Sequence, residues 1–243
     1  MYFSFFKIAL FVFPIILDGT LLDTVADLCN AGNHTLAKAG YPTHPLKSYY
    51  GFVGNGIGKL MERALPEGHK EEAESLLDEF KSYYGNHLHD ETVPYPGVVE
   101  ILCRLSESGA KIAVASNKYQ AATETLVHHF FPDVKFVSIN GQRDGMPRKP
   151  DPAVVKFIME EAGVTQEEVT YIGDSSVDMQ TAQNAGVKAV AVSWGFCDRK
   201  VLEEYKPDFI ADTAEELKEY LFGTVIEEER RPQNIHLRNE ENS

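Results

Sequence analysis

Leu17-Asp18-Gly19-Thr20-Leu21-Leu22-Asp23-Thr24 closes an apolar run that begins at Ile8, and it ends that run in a carboxylate, a glycine and a hydroxyl. A continuous apolar run bounded by a turn signal reads as a buried strand, so the stretch delivers polar groups to a loop at a strand's end. Gly19 and Thr20 can present backbone N–H groups and a hydroxyl to an anion there, and glycine permits its close approach. Pro14 lies inside the run, where it would remove a ladder donor from a strand expected at the centre of a sheet.

Upstream, Met1 to Leu17 carries few polar residues, chiefly Ser4 and Lys7. A signal peptide also opens with a basic residue before an apolar core, but no small-x-small cleavage site follows. The apolar run is also too short for the roughly 20 residues that span a bilayer. The expectation is a core strand with a short apolar extension and no stable membrane insertion.

Downstream, the apolar spacing turns helical at Val25, Leu28, Cys29, Leu36 and Ala37, until Gly40 and Pro42 interrupt it. Leu46 to Tyr50, Ile57 to Leu65 and Lys70 to Tyr84 continue the pattern, so Thr24 to Pro94 reads as an all-helical block without a strand. After Pro94-Tyr95-Pro96-Gly97 the chain alternates. Helices are expected at Val98 to Glu107, Gln120 to Phe130, Pro152 to Ala162, Asp178 to Ala185 and Ala214 to Phe222. Strands are expected at Lys111 to Ala115, Lys135 to Ile139, Glu168 to Ile172, Lys188 to Val192 and Asp208 to Ala211. Such alternation implies an α/β fold, a parallel sheet with helices on both faces. Ligands of these sheets sit at the carboxyl ends of the strands, where Asp18, Ser116 and Asp174 fall. Glu227 to Ser243 has few large apolar residues and no period, and reads as a disordered tail.

With 243 residues, 43% of them apolar, the chain can bury a full core. A net charge of -14 disfavours nucleic acid and anionic membrane surfaces as partners. Cys29, Cys103 and Cys197 are odd in number, widely spaced and free of any Cys-x-x-Cys, which fits reduced thiols in a cytoplasmic protein.

Four stretches in order give these elements a family. They are Leu17 to Thr24, Ala113-Val114-Ala115-Ser116-Asn117-Lys118, Arg148-Lys149-Pro150-Asp151-Pro152, and Tyr171-Ile172-Gly173-Asp174-Ser175-Ser176-Val177-Asp178. Together they resemble the four motifs of the haloacid dehalogenase-like (HAD) phosphatases, in particular the phosphoglycolate phosphatase branch. Phe52-Val53-Gly54-Asn55-Gly56 and Met61-Glu62-Arg63-Ala64-Leu65 resemble that branch's helical cap. The resemblance implies a Rossmann-like core of residues 1–23 and 95–226 with an inserted helical cap of residues 24–94. It implies Mg2+-dependent hydrolysis of a small phosphorylated metabolite, 2-phosphoglycolate first among them, by a monomer or homodimer. Asp18 would be the general acid and base, and Gly19, Thr20, Ser116, Asn117 and Lys149 the phosphate cradle. For the metal it implies Asp174 through its carboxylate, Asp18 through its backbone carbonyl, and Asp178 as orienter of Lys149 or of a metal-bound water.

One position departs from the pattern. The family's nucleophilic Asp stands two residues before Asp18, and Ile16 stands there in this chain. Isoleucine has no lone pair to attack phosphorus, and a magnesium ligand is lost with the carboxylate. Two readings stay open: a catalytically impaired relative that still binds phosphate metabolites, or a segment Met1 to Ile16 that reflects a start or frame error. Elsewhere, Asp23 and Asp27 read as acids of a first helical turn, favourable to the helix dipole. His87, His89, His128 and His129 read as surface histidines.

Overall fold

A computed structural model describes residues 11–229 of the chain. The apolar extension before residue 11 and most of the expected C-terminal tail lie outside the described residues. The elements open with β1 (Val12–Ile15), β2 (Leu22–Asp23) and four helices, α1 (Val25–Lys38), α2 (Leu46–Phe52), α3 (Ile57–Ala64) and α4 (Leu77–Asn86). A 3-10 segment, Lys70–Leu76, leads into α4, splitting what the sequence presents as one helix. The chain then returns through β3 (Val93–Pro94) and alternates: α5 (Val98–Glu107), β4 (Lys111–Tyr119), α6 (Gln120–Phe130), β5 (Phe136–Gln142), α7 (Ala153–Ala162). It finishes with β6 (Thr170–Gly173), α8 (Ser176–Ala185), β7 (Lys188–Val192), α9 (Arg199–Glu204), β8 (Phe209–Ala211) and α10 (Ala214–Glu229).

Six strands form one sheet in the order β5-β4-β1-β6-β7-β8, parallel throughout, so the fold is the expected α/β type. Side chains alternate across it. Phe13, Ile15 and Leu17 join one apolar cluster with Leu102 and Leu105 of α5 and Leu126 and Val127 of α6. Val12 and Ile16 join the other, with Val155 and Ile158 of α7 and Met179 of α8. This is the period of two that a strand imposes.

β1 lies at the centre, between β4 and β6, and it does contain Pro14. The Ile16 N–H donates to Ile172 O at 3.0 Å, so by the same period the nitrogen of Pro14 faces β6. The missing donor therefore falls on that side. β1 pairs with β4 at four positions, whereas towards β6 the register is Ile15↔Ile172 and an isolated bridge Val12↔Val169.

Between β2 and β3 every element is helical, but the two strands themselves depart from expectation. Leu22 pairs with Pro94 and Asp23 with Val93, antiparallel, so the helical segment leaves and rejoins the sheet through one small ladder. Two-residue strands carry no readable period. α9 is short for the same kind of reading, and α10 runs past Phe222 to Glu229, with no proline before Pro232 and strong helix formers at Glu227 to Glu229. Among the described residues no helix is long and apolar enough to cross a membrane.

Candidate active site

A cavity of about 380 Å³ opens at the carboxyl ends of β1, β4 and β6. Its floor comes from the carboxyl edge of the sheet with the loop before α7 and the first turn of α8: Ile16, Asp18, Ser116, Asn117, Lys149, Asp174 and Asp178 all line it. Tyr50, Asn55 and Arg63 of the helical segment form part of the opposite wall. Gly19 and Thr20 adjoin this floor through Asp174, so the structure brings the sequence-derived residues to one place.

Asp18 follows β1 in a tight turn closed by Gly19 N–H to Leu22 O at 2.9 Å. Its Oδ1 accepts from Thr24 Oγ1 at 2.7 Å and lies 3.1 Å from the Lys118 ammonium, while Oδ2 accepts from Ser116 Oγ at a long 3.4 Å. Ser116 to Lys118 occupy an irregularity in β4. Between the pairs Ala115↔Asn140 and Tyr119↔Gln142, four steps on β4 match two on β5. A bulge of this kind re-aims side chains that a regular strand would send to alternate faces.

Asn117 is more engaged than a free donor. Its Nδ2 donates to Gly54 O of the helical segment at 3.2 Å, and its Oδ1 accepts from Lys149 N–H at 3.1 Å. The side chain thus bridges the α2–α3 loop and the loop of Lys149. The Lys149 ammonium donates to Asp178 Oδ1 at 2.7 Å and to Ala115 O at 3.3 Å. Asp178 Oδ2 accepts from Ser175 N–H at 3.1 Å and from Ser175 Oγ at 2.5 Å. Asp178 is therefore a buried orienter of Lys149 and the third residue of a capping box, not a surface helix acid. The cap of α8 is Ser175, which leaves Asp174 free of that structural duty.

Asp174 is 2% exposed. Its Oδ1 accepts from Thr20 Oγ1 and its Oδ2 from Phe196 N–H, both at 2.9 Å. Two glycines make room for it. A Cβ on Gly19, whose φ is +84°, would lie 2.2 Å from Oδ2, and one on Gly195 would lie 2.4 Å from the same atom. Burial first, and then the charge of Asp178, push the Asp174 carboxyl up to about 7, against the opposing hydrogen bonds from Phe196 and Thr20 and the Lys149 charge.

A magnesium ion is what the family would place beside this carboxylate. Among the described residues no three His, Cys, Asp or Glu side chains cluster to hold a metal. Asp178 is taken by Lys149 and Ser175, and Ile16, 4% exposed, presents hydrocarbon. Of the groups the resemblance assigns to magnesium, the Asp174 carboxylate lines the cavity held by neutral donors alone, and an ion that keeps most of its waters needs few protein ligands.

Three contributors escaped the sequence reading. The loop after β7 supplies Gly195 and the Phe196 N–H to Asp174, and Trp194 Nε1 donates to Thr20 O at 3.2 Å. A glycine flanked by aromatics directly after a parallel strand was a legible signal for it. Lys118 pairs with Asp18, and Tyr84 of α4 accepts from the Lys118 ammonium at 2.7 Å. The histidines stay apart from this site: His87 Nδ1 pairs with Asp90 at 2.6 Å, and His89 stacks on His129.

Comparison with known proteins agrees with this geometry. The haloacid dehalogenase-like hydrolase family model matches residues 16–192. The phosphoglycolate phosphatase of Mesorhizobium japonicum is 34% identical over 198 residues, covering 80% of this chain and 87% of that protein. That of Pseudomonas syringae pv. tomato is 39% identical over 203 residues, covering 81% and 74%. A solved structure from Lactobacillus delbrueckii subsp. bulgaricus, provisionally described as a phosphoglycolate phosphatase, superposes with a TM-score of 0.80 at 31% identity, over 88% of this chain and 98% of that one. With a cradle of this design on a sheet of this order, the chain belongs to the haloacid dehalogenase-like hydrolases, in their phosphoglycolate phosphatase-like branch.

Proposed function

We propose that this phosphatase-like hydrolase binds a small phosphate ester, 2-phosphoglycolate being the first candidate, and that Ile16 limits its turnover. The observation that carries the reading is the convergence of Lys149, Ser116 and Asp18 on one cavity whose wall at the attacking position is the Ile16 side chain. Phosphoryl transfer is chiefly positioning and neutralisation of charge on the equatorial oxygens. Lys149, held by Asp178, supplies the cation, and Ser116 Oγ and the Thr20 N–H supply neutral donors; the Gly19 N–H is spent on Leu22 O, so Gly19 serves the cradle by its turn and not as a donor. Asn117, tied to Gly54 and Lys149, keeps the two loops at their spacing and leaves donation to the backbone around it. Asp18 would give a proton to the leaving oxygen and then take one from water. Magnesium, held by Asp174 and the Asp18 carbonyl, would add neutralising charge at the phosphoryl group. The three free thiols suit a reducing cytoplasm.

A second reading has its own observation. Because Ile16 is buried and its neighbours are intact, the site can hold phosphate without consuming its ester, as a binding protein. The Ile16→Asp variant separates the two. Ile16 and Asp18 are two residues apart and line the same cavity, so the new carboxylate would stand beside the bound phosphoryl group. Phosphate release from a panel of small esters, with and without magnesium, should rise by roughly a hundredfold or more over the parent. A folded variant as inert as the parent on every ester, yet still binding phosphate, would leave the binding-protein reading standing.

A further inference from the structure

An in-line displacement puts the leaving oxygen opposite the attacking group. Ile16 stands at the attacking position on the floor of the cavity, so the alcohol part of a bound ester points away from the sheet, toward the wall built by the helical segment. That wall is largely apolar. Tyr50 of α2, Val53 of the loop that follows, and Ile57 and Leu60 of α3 line it, and Phe196 and Val201 continue it from the core side, in the segment after β7. Its charged residue, Arg63, is engaged within the wall itself: the guanidinium donates to Phe52 O at 2.9 Å and to Asn55 Oδ1 at 2.7 Å, holding the α2–α3 loop.

Two rings mark the apolar side. Tyr50 is 40% exposed, although an aromatic side chain of its size gains by burial. It meets Phe196 edge to face across the boundary between the helical segment and the core, with centroids 5.9 Å apart and planes at 73°. Such a pair leaves the faces of the edge-on ring uncommitted by the contact, and an offset stack is the other favourable arrangement of aromatic rings. The cavity, about 380 Å³, falls within the range of about 300–1,000 Å³ of clefts that enclose ring-bearing ligands behind apolar walls. A phosphoryl group carrying only the two carbons of glycolate leaves most of this wall uncovered.

We propose that the cavity also takes phosphate esters of aromatic alcohols, with the phosphoryl group on the floor and the aryl ring seated against Tyr50 and Phe196. The inference rests on the reading of the floor as a phosphoryl cradle, and it names a class of alcohol that 2-phosphoglycolate does not represent.

The test is calorimetry on the full chain with three probes that no phosphatase consumes: inorganic phosphate, methylphosphonate and benzylphosphonate. The outcome is then independent of turnover. Benzylphosphonate should bind at least roughly tenfold tighter than methylphosphonate, as expected when a phenyl ring leaves water for an apolar and aromatic wall. Inorganic phosphate in excess should displace it. Tyr50→Ala, a truncation at an exposed position, should cut the ratio of the two phosphonate affinities at least about threefold. Adding Phe196→Ala, which keeps the backbone N–H that serves Asp174, should bring the ratio close to one. Equal affinity for the two phosphonates in the parent overturns the inference, as does a benzyl advantage that survives Tyr50→Ala or persists under saturating phosphate, and each of these leaves the cradle standing. Failure of inorganic phosphate itself to bind would overturn the cradle, and the inference with it.

Discussion

Asp174 receives one neutral donor on each oxygen, while Lys149 directs its short contact to Asp178. Its raised carboxyl, at about 7, fixes a sign. The folded state binds this proton more tightly than the unfolded chain does, so the stability it confers is complete below the ordinary carboxylate range and is lost as pH rises through about 7. In chelator-treated protein, Asp174→Asn should therefore gain stability relative to the parent as pH increases, most of all above pH 7. Melting curves of the pair from pH 5 to pH 8 check this, and a difference that does not change with pH would contradict it. A second residue-level outcome concerns the cradle. Gly19→Ala adds a Cβ to a left-handed residue against the Asp174 carboxylate, and it should cost both stability and phosphate binding, read by urea unfolding and calorimetry.

Asp27 shows where sequence reasoning stopped short among the elements. Its place in the first turn of α1 suggested an acid favourable to the helix dipole and no more, yet it is fully buried. It accepts from the Glu91 and Thr92 N–H groups and from Thr92 Oγ1, fastening α1 to the strand that leaves the helical segment. Removing it strands buried donors, each worth about 1–3 kcal/mol. Asp27→Ala should thus lose about 3 kcal/mol in urea unfolding, against less than about 1 kcal/mol for Asp23→Ala, whose one backbone contact is a 3.3 Å bond to Val25 N–H. No local pattern announces a partner 64 residues away. The same holds for Lys118 and Tyr84, 34 residues apart and joined only by packing. Elements bounded by their own turn chemistry were legible to the residue: α5 after Pro96-Gly97, α6 and β7 have the bounds their periodicity gives. The resemblance to four motifs made Asp18, Ser116, Lys149 and Asp174 legible as one site, because Asp18, Ser116 and Asp174 come at the carboxyl ends of strands of one parallel sheet and Lys149 lies on a loop beside them. For Asp178 the resemblance left two roles open, orienter of Lys149 or of a metal-bound water, and the structure shows the contact with Lys149.

Across the whole molecule, a net charge of -14 surrounds the cavity proposed to take a phosphate group. On that proposal the distant charges would repel phosphate, while the buried ammonium of Lys149 would attract it at short range. Salt screens the first more than the second. The rate of phosphate association should therefore rise with ionic strength, the reverse of a basic receptor, as stopped-flow fluorescence of Trp194 would read. Inorganic phosphate at about a hundred times its Kd should stabilise the folded chain by about 2.7 kcal/mol, and Lys149→Ala should abolish that gain in thermal melts.

The small ladder between β2 and β3 carries one more consequence. Paired antiparallel residues stand about 5 Å apart, so the departure and return of the helical segment are separated by no more than a tight turn can span. To the six-stranded sheet, residues 24–92 are a parenthesis: they contribute no strand to it, and its order reads the same with or without them. That makes this junction the place where one helical segment can be exchanged for another as a cassette, leaving the floor of the cavity in place.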